Sequence, residues 1–277
     1  MIRVTGYDYV MRTQVSFYLV PTFFPDGTSQ VWKLPEDLFT ATTILIHWDF
    51  TEEREISHLA QLMDLIKALN PNASVRLDVP FFPYGRQDKG ISNESTFARS
   101  TFLKQLNAMG FDAVYTLDAH SSIPGVTSIE PALAIDGTFN AIEQQYGSIT
   151  TICFPDVSAW QRYGKLFDST RGRLIDLCIQ KNRDPATGEI TETILENRSV
   201  WQKKDIDLPA ITGNILIVDD ICDGGRTFIE AARLLRNACP QARIHLFTTH
   251  GIYSKGLNVL FDAGITTVSN HKGMQSR

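Results

Sequence analysis

The chain has 277 residues, of which 43% are hydrophobic and 21% charged, a composition typical of a folded protein with one large core or two modest ones. Its formal net charge of −5 offers no broad basic surface, so we expect no nucleic-acid partner, although a local basic pocket for phosphates is compatible with it. No stretch approaches the length of a membrane span, the first ten residues lack a signal-peptide core, and the four cysteines form neither a CxxC pair nor metal-finger spacing. These features predict a cytoplasmic protein in a reducing compartment, without a membrane partner.

Strands and helices alternate along the predicted secondary structure. Short apolar runs predict strands, and apolar residues at helical spacing predict helices. The predicted strands are 15–21, 44–48, 75–80, 113–117, 150–154, 215–218 and 244–248, with a further apolar run at 173–180, and the predicted helices are 52–69, 97–109, 139–146, 163–167 and 228–235. This alternation predicts an α/β fold with parallel sheets flanked by helices.

The two halves of the chain are similar in one respect. In both halves, acidic or histidine residues follow the ends of predicted strands: Asp118 and His120 in the first, and Asp156, Asp219, Asp220 and His250 in the second. Ligands of open α/β sheets bind beyond the carboxyl ends of the strands. We therefore expect two similar lobes, residues 1–137 and 138–277, with a hinge within residues 131–138.

The segment 215–227, ILIVDDICDGGRT, carries the strongest functional signal. Four apolar residues, three of them β-branched, predict a strand that is buried on both faces. Asp219 and Asp220 follow at once, and Gly224 and Gly225 precede a predicted helix. Backbone N–H groups at a helix start bind anions, glycines allow close approach, and carboxylates accept hydrogen bonds from sugar hydroxyls. We interpret the segment as a sugar-phosphate site; the alternative is a solvated acidic turn that caps a helix.

The segment 79–89, VPFFPYGRQDK, follows another predicted strand. Its two prolines and its glycine predict an irregular loop that presents Arg86, Gln87, Asp88 and Lys89. A guanidinium and an ammonium three residues apart suit a polyphosphate, and glutamine or aspartate can bind a nucleobase edge. Composition alone slightly favours an ordinary solvated loop.

These two segments resemble motifs of the phosphoribosyl-diphosphate synthetases, also called ribose-phosphate pyrophosphokinases. Residues 79–89 are similar to their PYxRQDR nucleotide loop, and residues 218–227 to the phosphoribosyl-diphosphate loop that they share with phosphoribosyltransferases. Five shorter segments resemble family motifs in the same order along the chain: 24–27 (FxDGE), 117–120 (DLH), 154–156 (SPD), 181–183 (KxR) and 249–254 (THGxxS). The resemblance spans roughly residues 15–270 and implies a type I phosphoribosyltransferase-like fold.

The resemblance also implies a reaction and the residues that serve it. The β,γ-diphosphate of ATP moves to the anomeric hydroxyl of a 5-phosphorylated ribose, AMP leaves, and Mg²⁺ is the implied cofactor. The implied ATP-binding residues are Phe24, Asp26, Arg86, Gln87, Asp88 and His120, and the implied metal ligands are Asp118 and His120. The implied ribose-phosphate residues are Asp156, Asp219, Asp220, Asp223, Gly224, Gly225, Arg226 and Thr227.

Two of these implications concern particular side chains. The resemblance makes Lys181 and Arg183 catalytic residues that close over the transferring diphosphate, whereas their polar surroundings alone fit exposed residues of a mobile loop. The Asp118-x-His120 spacing predicts that both side chains lie on one face of a strand. Family members take the contacts of Phe24 and Asp26 from a neighbouring subunit, so a homo-oligomer is expected.

The sequence departs from the family pattern at four places. Thr28 replaces the glutamate of FxDGE, which alters an adenine contact. Val157 and Ser158 replace the glycines after SPD, and we expect them to crowd a loop near the sugar. The chain ends soon after Asn270, without the last strand and helix of the family, so oligomer contacts and phosphate regulation do not follow by analogy.

The fourth departure lies in the sugar-phosphate loop. The family's D-T-x-G-T reads DGGRT at 223–227, so that Gly224 replaces a threonine and Arg226 replaces a glycine. A loop edge that lacks the threonine side chain and carries an additional arginine could admit more than one phosphate at the 5-position. ADP-ribose is therefore an alternative acceptor, and relatives of the family, notably in phages, act on it.

Two further classes of protein stay open. A phosphoribosyltransferase would use the acidic loop, but it would also need a base-binding hood and would have no use for residues 79–89. A non-catalytic, synthetase-like regulatory subunit agrees with the changed segment after Asp156, whereas the retained Lys181, Arg183, Asp118 and His120 argue against it. No GxxxxGK[ST] or GxGxxG motif supports the common kinase and dinucleotide-binding alternatives.

Overall fold

The computed structural model describes residues 1–88, 95–170, 174–183, 190–199 and 206–277, and of residues 168–170, 181–183 and 190–192 the backbone alone. These residues form two compact units, Met1–Glu130 and Pro131–Arg277. The division lies slightly before the predicted boundary at 137/138. The ATP-binding and ribose-phosphate-binding roles assigned to the two lobes stay predictions.

The first unit is built on a mixed sheet. Its elements are β1 (Ile2–Asp8), β2 (Thr13–Tyr18), β3 (Thr22–Phe23), β4 (Ser29–Gln30), β5 (Thr43–Trp48), α1 (Arg54–Leu69), β6 (Ser74–Asp78), α2 (Ala98–Met109), β7 (Ala113–Leu117) and β8 (Thr127–Ile129). Six strands are ordered β2-β1-β5-β6-β7-β8, and β3 and β4 form a separate hairpin. The β5, β6, β7 and β8 strands pair in parallel, whereas β1 pairs antiparallel with both β2 and β5.

One hydrophobic cluster forms the core of this unit. The α1 helix buries residues three or four positions apart, such as Leu59, Leu62 and Met63, which is the pattern of a helix with one apolar face. The cluster also contains Ile44 from β5 and Phe102 from α2. The helical period of residues 52–69 therefore predicted this helix correctly.

The second unit carries a seven-stranded sheet. Its elements are α3 (Ala132–Tyr146), β9 (Ile149–Phe154), α4 (Val157–Thr170), β10 (Ile175–Arg183), β11 (Ile190–Asn197), β12 (Asn214–Cys222), α5 (Arg226–Ala238), β13 (Arg243–Gly251), α6 (Asn258–Asp262), β14 (Ile265–Asn270) and β15 (Gly273–Ser276). The strand order is β11-β10-β9-β12-β13-β14-β15. The five inner strands pair in parallel, and β11 and β15 add antiparallel edges.

The β12 strand is buried on both faces of this sheet. Ile215 and Ile217 belong to the hydrophobic cluster that contains residues of α5 and α6. Leu216 and Val218, which alternate with them, belong to the cluster that contains residues of α3 and α4. Helices therefore cover both faces of the strand. This explains why ILIV contains no alternating polar residues, the feature from which a doubly buried strand was predicted.

The predicted hinge at residues 131–138 is wrong. The α3 helix begins at Ala132, directly after Pro131, and the Ile135 N–H donates to the Pro131 carbonyl at 3.0 Å. Ile135 and Thr138 are buried, and Ile135 packs in the same cluster as the later helical residue Phe139. Gly137 weakened the helical signal without ending the helix, because packing against the sheet outweighs its low helix propensity.

Several elements were not predicted. They are β1, β8, β11, β14, β15 and α6, together with the short hairpin of β3 and β4. Most of them lie at sheet edges or are only a few residues long, and their apolar patterns are correspondingly weak. The β1 strand is different, because it lies between β2 and β5 and its residues Ile2 and Val4 are buried.

The cysteines are buried and free, as their sequence pattern predicts. All four, Cys153, Cys178, Cys222 and Cys239, are unpaired. Burial raises the pKa of each thiol, which makes these groups unreactive. Within the described ranges, no helix combines the length and the apolar character that a membrane crossing requires.

A buried histidine joins β12, β13 and β14. The two ring nitrogens of His245 lie 2.8 Å from Thr267 Oγ1 and 3.1 Å from Asn214 Oδ1. The Asn214 amide nitrogen donates to carbonyls of residues 146–148, so its oxygen faces the ring and accepts a hydrogen bond from Nε2. Burial, reinforced by the charge of Arg243, lowers the pKa of His245 to about 4.

We predict that His245 makes the fold sensitive to acid. The folded protein keeps the ring neutral, whereas the unfolded chain protonates it below about pH 6.5, so the free energy of unfolding should fall by about 3 kcal/mol as the pH drops from 6.5 to 4. Urea denaturation across this range should show a shallower decline for His245→Gln than for the unchanged chain. Equal pH slopes in the two proteins would contradict the prediction.

Candidate active site

Two carboxylates lie near the carboxyl end of β12. The strand continues through Asp219 and Asp220 to Cys222, rather than ending at Val218 as predicted. Its pairing with β9 ends at Ile217, whereas its pairing with β13 continues to Cys222. The two carboxylates thus lie on a part of β12 that extends beyond its last pairing with β9.

The carboxylates of Asp219 and Asp220 form a tightly coupled pair. The Asp220 N–H donates to Asp219 Oδ1 at 2.9 Å, and Asp220 itself is buried. Burial, and then the charge of Asp220, raise the pKa of Asp219 well above its ordinary value, and Asp156 contributes to the same shift. The surroundings of Asp219 therefore disfavour the charged form of its carboxyl group.

Arg162 of α4 is a site residue that the sequence analysis missed. Its Nη1 lies 2.8 Å from Asp220 Oδ2, and the side chains are only 26% and 7% exposed. The ion pair places a cation directly on the acidic pair. The available signal was a single arginine six positions after Asp156, within an otherwise largely apolar helical stretch.

Asp156 begins the helix that carries Arg162. Its Oδ1 accepts the Ala159 N–H at 2.9 Å, so the carboxylate caps α4 while remaining exposed. Val157 and Ser158 form the first turn of that helix. The expectation that they belong to a loop is wrong, because both are helical residues, and their crowding of the sugar stays a prediction.

The glycine segment leads directly into α5. Gly225 adopts a left-handed conformation with φ 76°, and a Cβ atom there would lie 2.9 Å from Leu260 Cδ2. Arg226 begins the helix, its side chain is 90% exposed, and its Nε donates to Glu230 Oε1 at 2.9 Å. Asp223 and Thr227 are exposed beside it. The start of a helix, whose first backbone N–H groups have no partner within the helix, thus follows the acidic pair closely in the chain, as an anion site requires.

Lys181 and Arg183 lie on a strand. Both belong to β10, where Lys181 pairs with Thr193 and Arg183 with Ile190 of β11. Their side chains, and all of residues 184–189, lie outside the described part of the chain. A pocket of about 420 Å³ nearby is lined by Thr193, by Pro155 of the SPD-like segment and by Thr227 of the glycine segment, which brings parts of two predicted motifs together beside β11.

The irregular loop predicted after β6 is confirmed. Tyr84 has a left-handed conformation with φ 59°, its hydroxyl donates to Glu53 at 2.6 Å, and its carbonyl accepts the Gln87 N–H at 2.9 Å. Arg86 and Gln87 follow Tyr84 and Gly85 in the loop, whereas Lys89 lies outside the described residues. The tyrosine thus anchors to α1 the segment that presents these polar groups.

A hydrogen-bond chain fixes the end of this loop. Ser121 donates to Asp88 Oδ2 at 3.0 Å, and Arg99 of α2 donates to the same serine hydroxyl at 2.5 Å. Arg99 is buried, with its guanidinium 5.7 Å from the centre of the Phe97 ring. Asp88 is therefore tied to the segment that directly follows His120.

The predicted strand geometry of Asp118 and His120 is wrong. The β7 strand ends at Leu117, and Asp118 turns the chain with φ 47° while its N–H donates to the Ile129 carbonyl at 2.8 Å. Alternation along a strand therefore does not apply to these residues, and Asp118 is buried whereas His120 is exposed. Over the described residues, no three His, Cys, Asp or Glu side chains are grouped as metal ligands.

Phe24 and Asp26 lie in the hairpin between β3 and β4. Asp26 is exposed and accepts hydrogen bonds from the Thr28 N–H at 3.0 Å and the Thr28 hydroxyl at 2.7 Å, and these bonds lower the pKa of Asp26. Thr28, which replaces the family's glutamate, is therefore part of the turn itself. Phe24 and the neighbouring Phe23 are exposed, so this hairpin presents aromatic surface to solvent.

Comparison with known proteins agrees with this fold and with the motifs. Residues 135–270 match the family described as "Phosphoribosyl transferase domain". The chain is 23% identical to the ribose-phosphate pyrophosphokinase of Saccharolobus solfataricus over 95% of this chain and 88% of that protein. It is 26% identical to that of Thermococcus kodakarensis over 84% and 77%, and 29% identical to that of Cereibacter sphaeroides over 71% and 56%.

A solved structure shares the fold. The phosphoribosylpyrophosphate synthetase from Mycobacterium smegmatis aligns over 91% of this chain and 78% of its own, with a TM-score of 0.68 and 20% identity. The α/β architecture with helix-flanked parallel strands is thus that of the type I phosphoribosyltransferases. Within that class, the proteins that the chain resembles over most of its length are ribose-phosphate pyrophosphokinases, which are transferases.

We predict that Arg162 stabilises the acidic pair. Arg162→Met leaves Asp220 buried beside Asp219 without its cation, which should lower the free energy of unfolding by about 2 kcal/mol. Arg54→Met is the matched control, because it breaks an ion pair with Glu52 whose side chains are 61% and 46% exposed, and it should cost less than about 1 kcal/mol. Urea denaturation measures both, and equal losses would contradict the prediction.

Proposed function

We propose that the chain transfers the β,γ-diphosphate of ATP to the anomeric hydroxyl of ribose 5-phosphate and releases AMP. The observation that carries the proposal is the Asp219–Asp220 pair on β12, in which Asp220 is buried, followed closely by the start of α5 after Gly225. A sugar with neighbouring hydroxyls and a phosphate fits this combination of acceptors and backbone donors. The names of the relatives, ribose-phosphate pyrophosphokinases, give the same reaction class.

In the second unit, the acceptor is bound by the end of β12 and the loop after it. Asp219, Asp220 and Asp223 accept hydrogen bonds from the ribose hydroxyls, with Asp156 beside the sugar. Arg162, which is bonded to Asp220 at 2.8 Å, orients its carboxylate for this role. Backbone N–H groups at residues 224–227 hold the 5-phosphate.

Lys181 and Arg183 neutralise the diphosphate during transfer. Charge on the transferring group is the main obstacle in this chemistry, and cations that meet it in the transition state accelerate the reaction. Support comes from the register of β10 with β11, which positions Lys181 opposite Thr193, a lining residue of the pocket that Thr227 also lines. The proposal assigns both residues a catalytic role.

In the first unit, ATP is bound by the loop after β6. Arg86 pairs with the phosphates, while Gln87 and Asp88 bind the nucleoside. The Asp88 carboxylate is preorganised by its hydrogen bond from Ser121. His120, which is exposed one residue before Ser121, donates to a phosphate oxygen.

Mg²⁺ is part of this proposal. In nucleotide sites it is usually held by one or two carboxylates together with substrate phosphates and waters. Asp118, a buried carboxylate at the end of β7, fits such a ligand, with His120 adjacent. The ion supplies neutralisation of the phosphate charge.

Phe24 and Asp26 serve a neighbouring copy of the chain. The hairpin and the residues just before and after it in the sequence expose large apolar side chains: Tyr18, Val20, Phe23, Phe24 and Trp32. Exposed apolar surface of this kind is typical of an interface. We therefore propose a homo-oligomer, and a cytoplasmic location in keeping with the four free cysteines.

ADP-ribose is a second candidate acceptor. The observation that favours it is the open edge of the loop, where Gly224 has no side chain and Arg226 is almost fully exposed. The missing side chain at Gly224 leaves room for a second phosphate, and the guanidinium of Arg226 supplies positive charge. The reaction at the anomeric hydroxyl is the same, and the product is ADP-ribose 1-diphosphate.

The test is mass spectrometry of reactions that contain ATP, Mg²⁺ and either acceptor. We expect a gain of one diphosphate on the acceptor with an equal amount of AMP, and loss of the gain in Asp219→Asn. Transfer to ribose 5-phosphate alone supports the first candidate, and transfer to ADP-ribose alone supports the second. No transfer to either acceptor would contradict the proposal and favour a non-catalytic, synthetase-like subunit.

We predict that Gly224→Thr shifts the preference toward ribose 5-phosphate. A Cβ at Gly224 would meet only ordinary contacts, 3.5 Å from Lys255 Cε and 3.8 Å from Ser254 Oγ, so a side chain fits. A hydroxyl on the 5-phosphate should raise kcat/KM for ribose 5-phosphate relative to ADP-ribose by roughly tenfold. Gly224→Ala is the control that adds bulk without the hydroxyl, and an equal shift in both variants would contradict this account.

A further inference from the structure

Lys255 extends along the empty side of Gly224. A Cβ built on Gly224 would lie 3.5 Å from Lys255 Cε and 3.7 Å from Cδ, so the aliphatic part of the lysine borders the space into which a side chain at residue 224 would project. The ammonium group lies one bond beyond Cε. A cation from a different segment of the chain thus reaches the edge of the sugar-phosphate loop.

The segment that carries Lys255 is held in place by backbone bonds and by one ring. The N–H groups of Ile252 and Tyr253 donate to the Cys222 carbonyl, at 2.8 and 3.2 Å, and the Gly256 N–H donates to the Tyr253 carbonyl at 2.8 Å. Tyr253 has φ 50°, and its ring lies against Gly251, where a Cβ would come within 2.1 Å of it. The turn at 253–256 is therefore anchored to the end of β12.

Lys255 and Arg226 differ in their charged partners within the protein. Arg226 is bonded to Glu230 at 2.9 Å, whereas no ion pair of Lys255 is found among the residues that the structure describes. The lysine is also exposed. Its cation is accordingly available to an anion bound at the loop. It lies on the side of Gly224 to which a side chain would project, and it is a donor additional to the backbone N–H groups.

We propose that Lys255 is a specificity-determining residue that binds the second phosphoryl group of an acceptor whose ribose bears a diphosphate at the 5-position. This inference rests on the proposed function, because it takes the loop at 223–227 as the seat of the first phosphate. The backbone N–H groups hold that first phosphate, and the lysine holds the group attached to it. Lys255 thereby distinguishes a diphosphate-substituted ribose from ribose 5-phosphate.

Isothermal calorimetry of the unchanged chain and of Lys255→Ala, with ADP-ribose and with ribose 5-phosphate, tests the role of Lys255. We expect Lys255→Ala to weaken ADP-ribose binding by about tenfold and ribose 5-phosphate binding by less than about twofold. Lys255→Arg should retain most of the affinity. Lys104→Ala, which removes an exposed lysine of α2 in the other unit, is the matched control and should change neither affinity.

Two results would overturn the inference: an equal effect of Lys255→Ala on both ligands, including no effect, or a failure of the unchanged chain to bind ADP-ribose. Release of AMP from ATP, measured in parallel with each acceptor, tests the proposed function separately. Absence of AMP release would refute the transferase proposal, while the two binding affinities would still decide the role of Lys255.

Discussion

The burial of β12 on both faces is the constraint on which the second unit depends. Ile215 and Ile217 pack with α5 and α6, and Leu216 and Val218 pack with α3 and α4, so this strand fixes both helical layers. Because the strand is fixed in this way, its extension beyond the pairing with β9 is fixed as well. Asp219 and Asp220 therefore owe their position to apolar packing rather than to contacts of their own.

That position has an electrostatic cost, which the structure offsets in part. Burial and mutual repulsion raise the pKa of Asp219, and the guanidinium of Arg162 is bonded to Asp220 at 2.8 Å. The cation comes from α4, which the Asp156 carboxylate caps. Helix capping, ion pairing and the acidic pair are thus parts of one local arrangement, in which a ligand that donates hydrogen bonds meets preoriented acceptors.

Much of the fold could be predicted from the sequence, because its signals are local. The run ILIV, the helical period of 52–69 and the glycines before α5 each depend on neighbouring residues. The errors arose where distant contacts decide. Pro131 opens a helix that packing on the sheet stabilises, Asp118 leaves the strand pattern through a left-handed conformation, and Arg162 reaches Asp220 across 58 positions of sequence. No spacing rule relates residues so far apart, and the roles of Lys181 and Arg183 depend on the family resemblance alone.

The contact of Tyr253 with Gly251 has a consequence for the variation of this chain. With the ring in place, any Cβ at residue 251 would lie only 2.1 Å from it, far inside van der Waals contact, so no other amino acid is accommodated there. Removing the ring would lift this restriction but would free the turn that presents residues 254 and 255. The two positions should consequently show strong epistasis, because a side chain at 251 becomes tolerable only after Tyr253 has been replaced. A chain that acquires both changes one at a time would therefore pass through a variant in which the turn is less ordered.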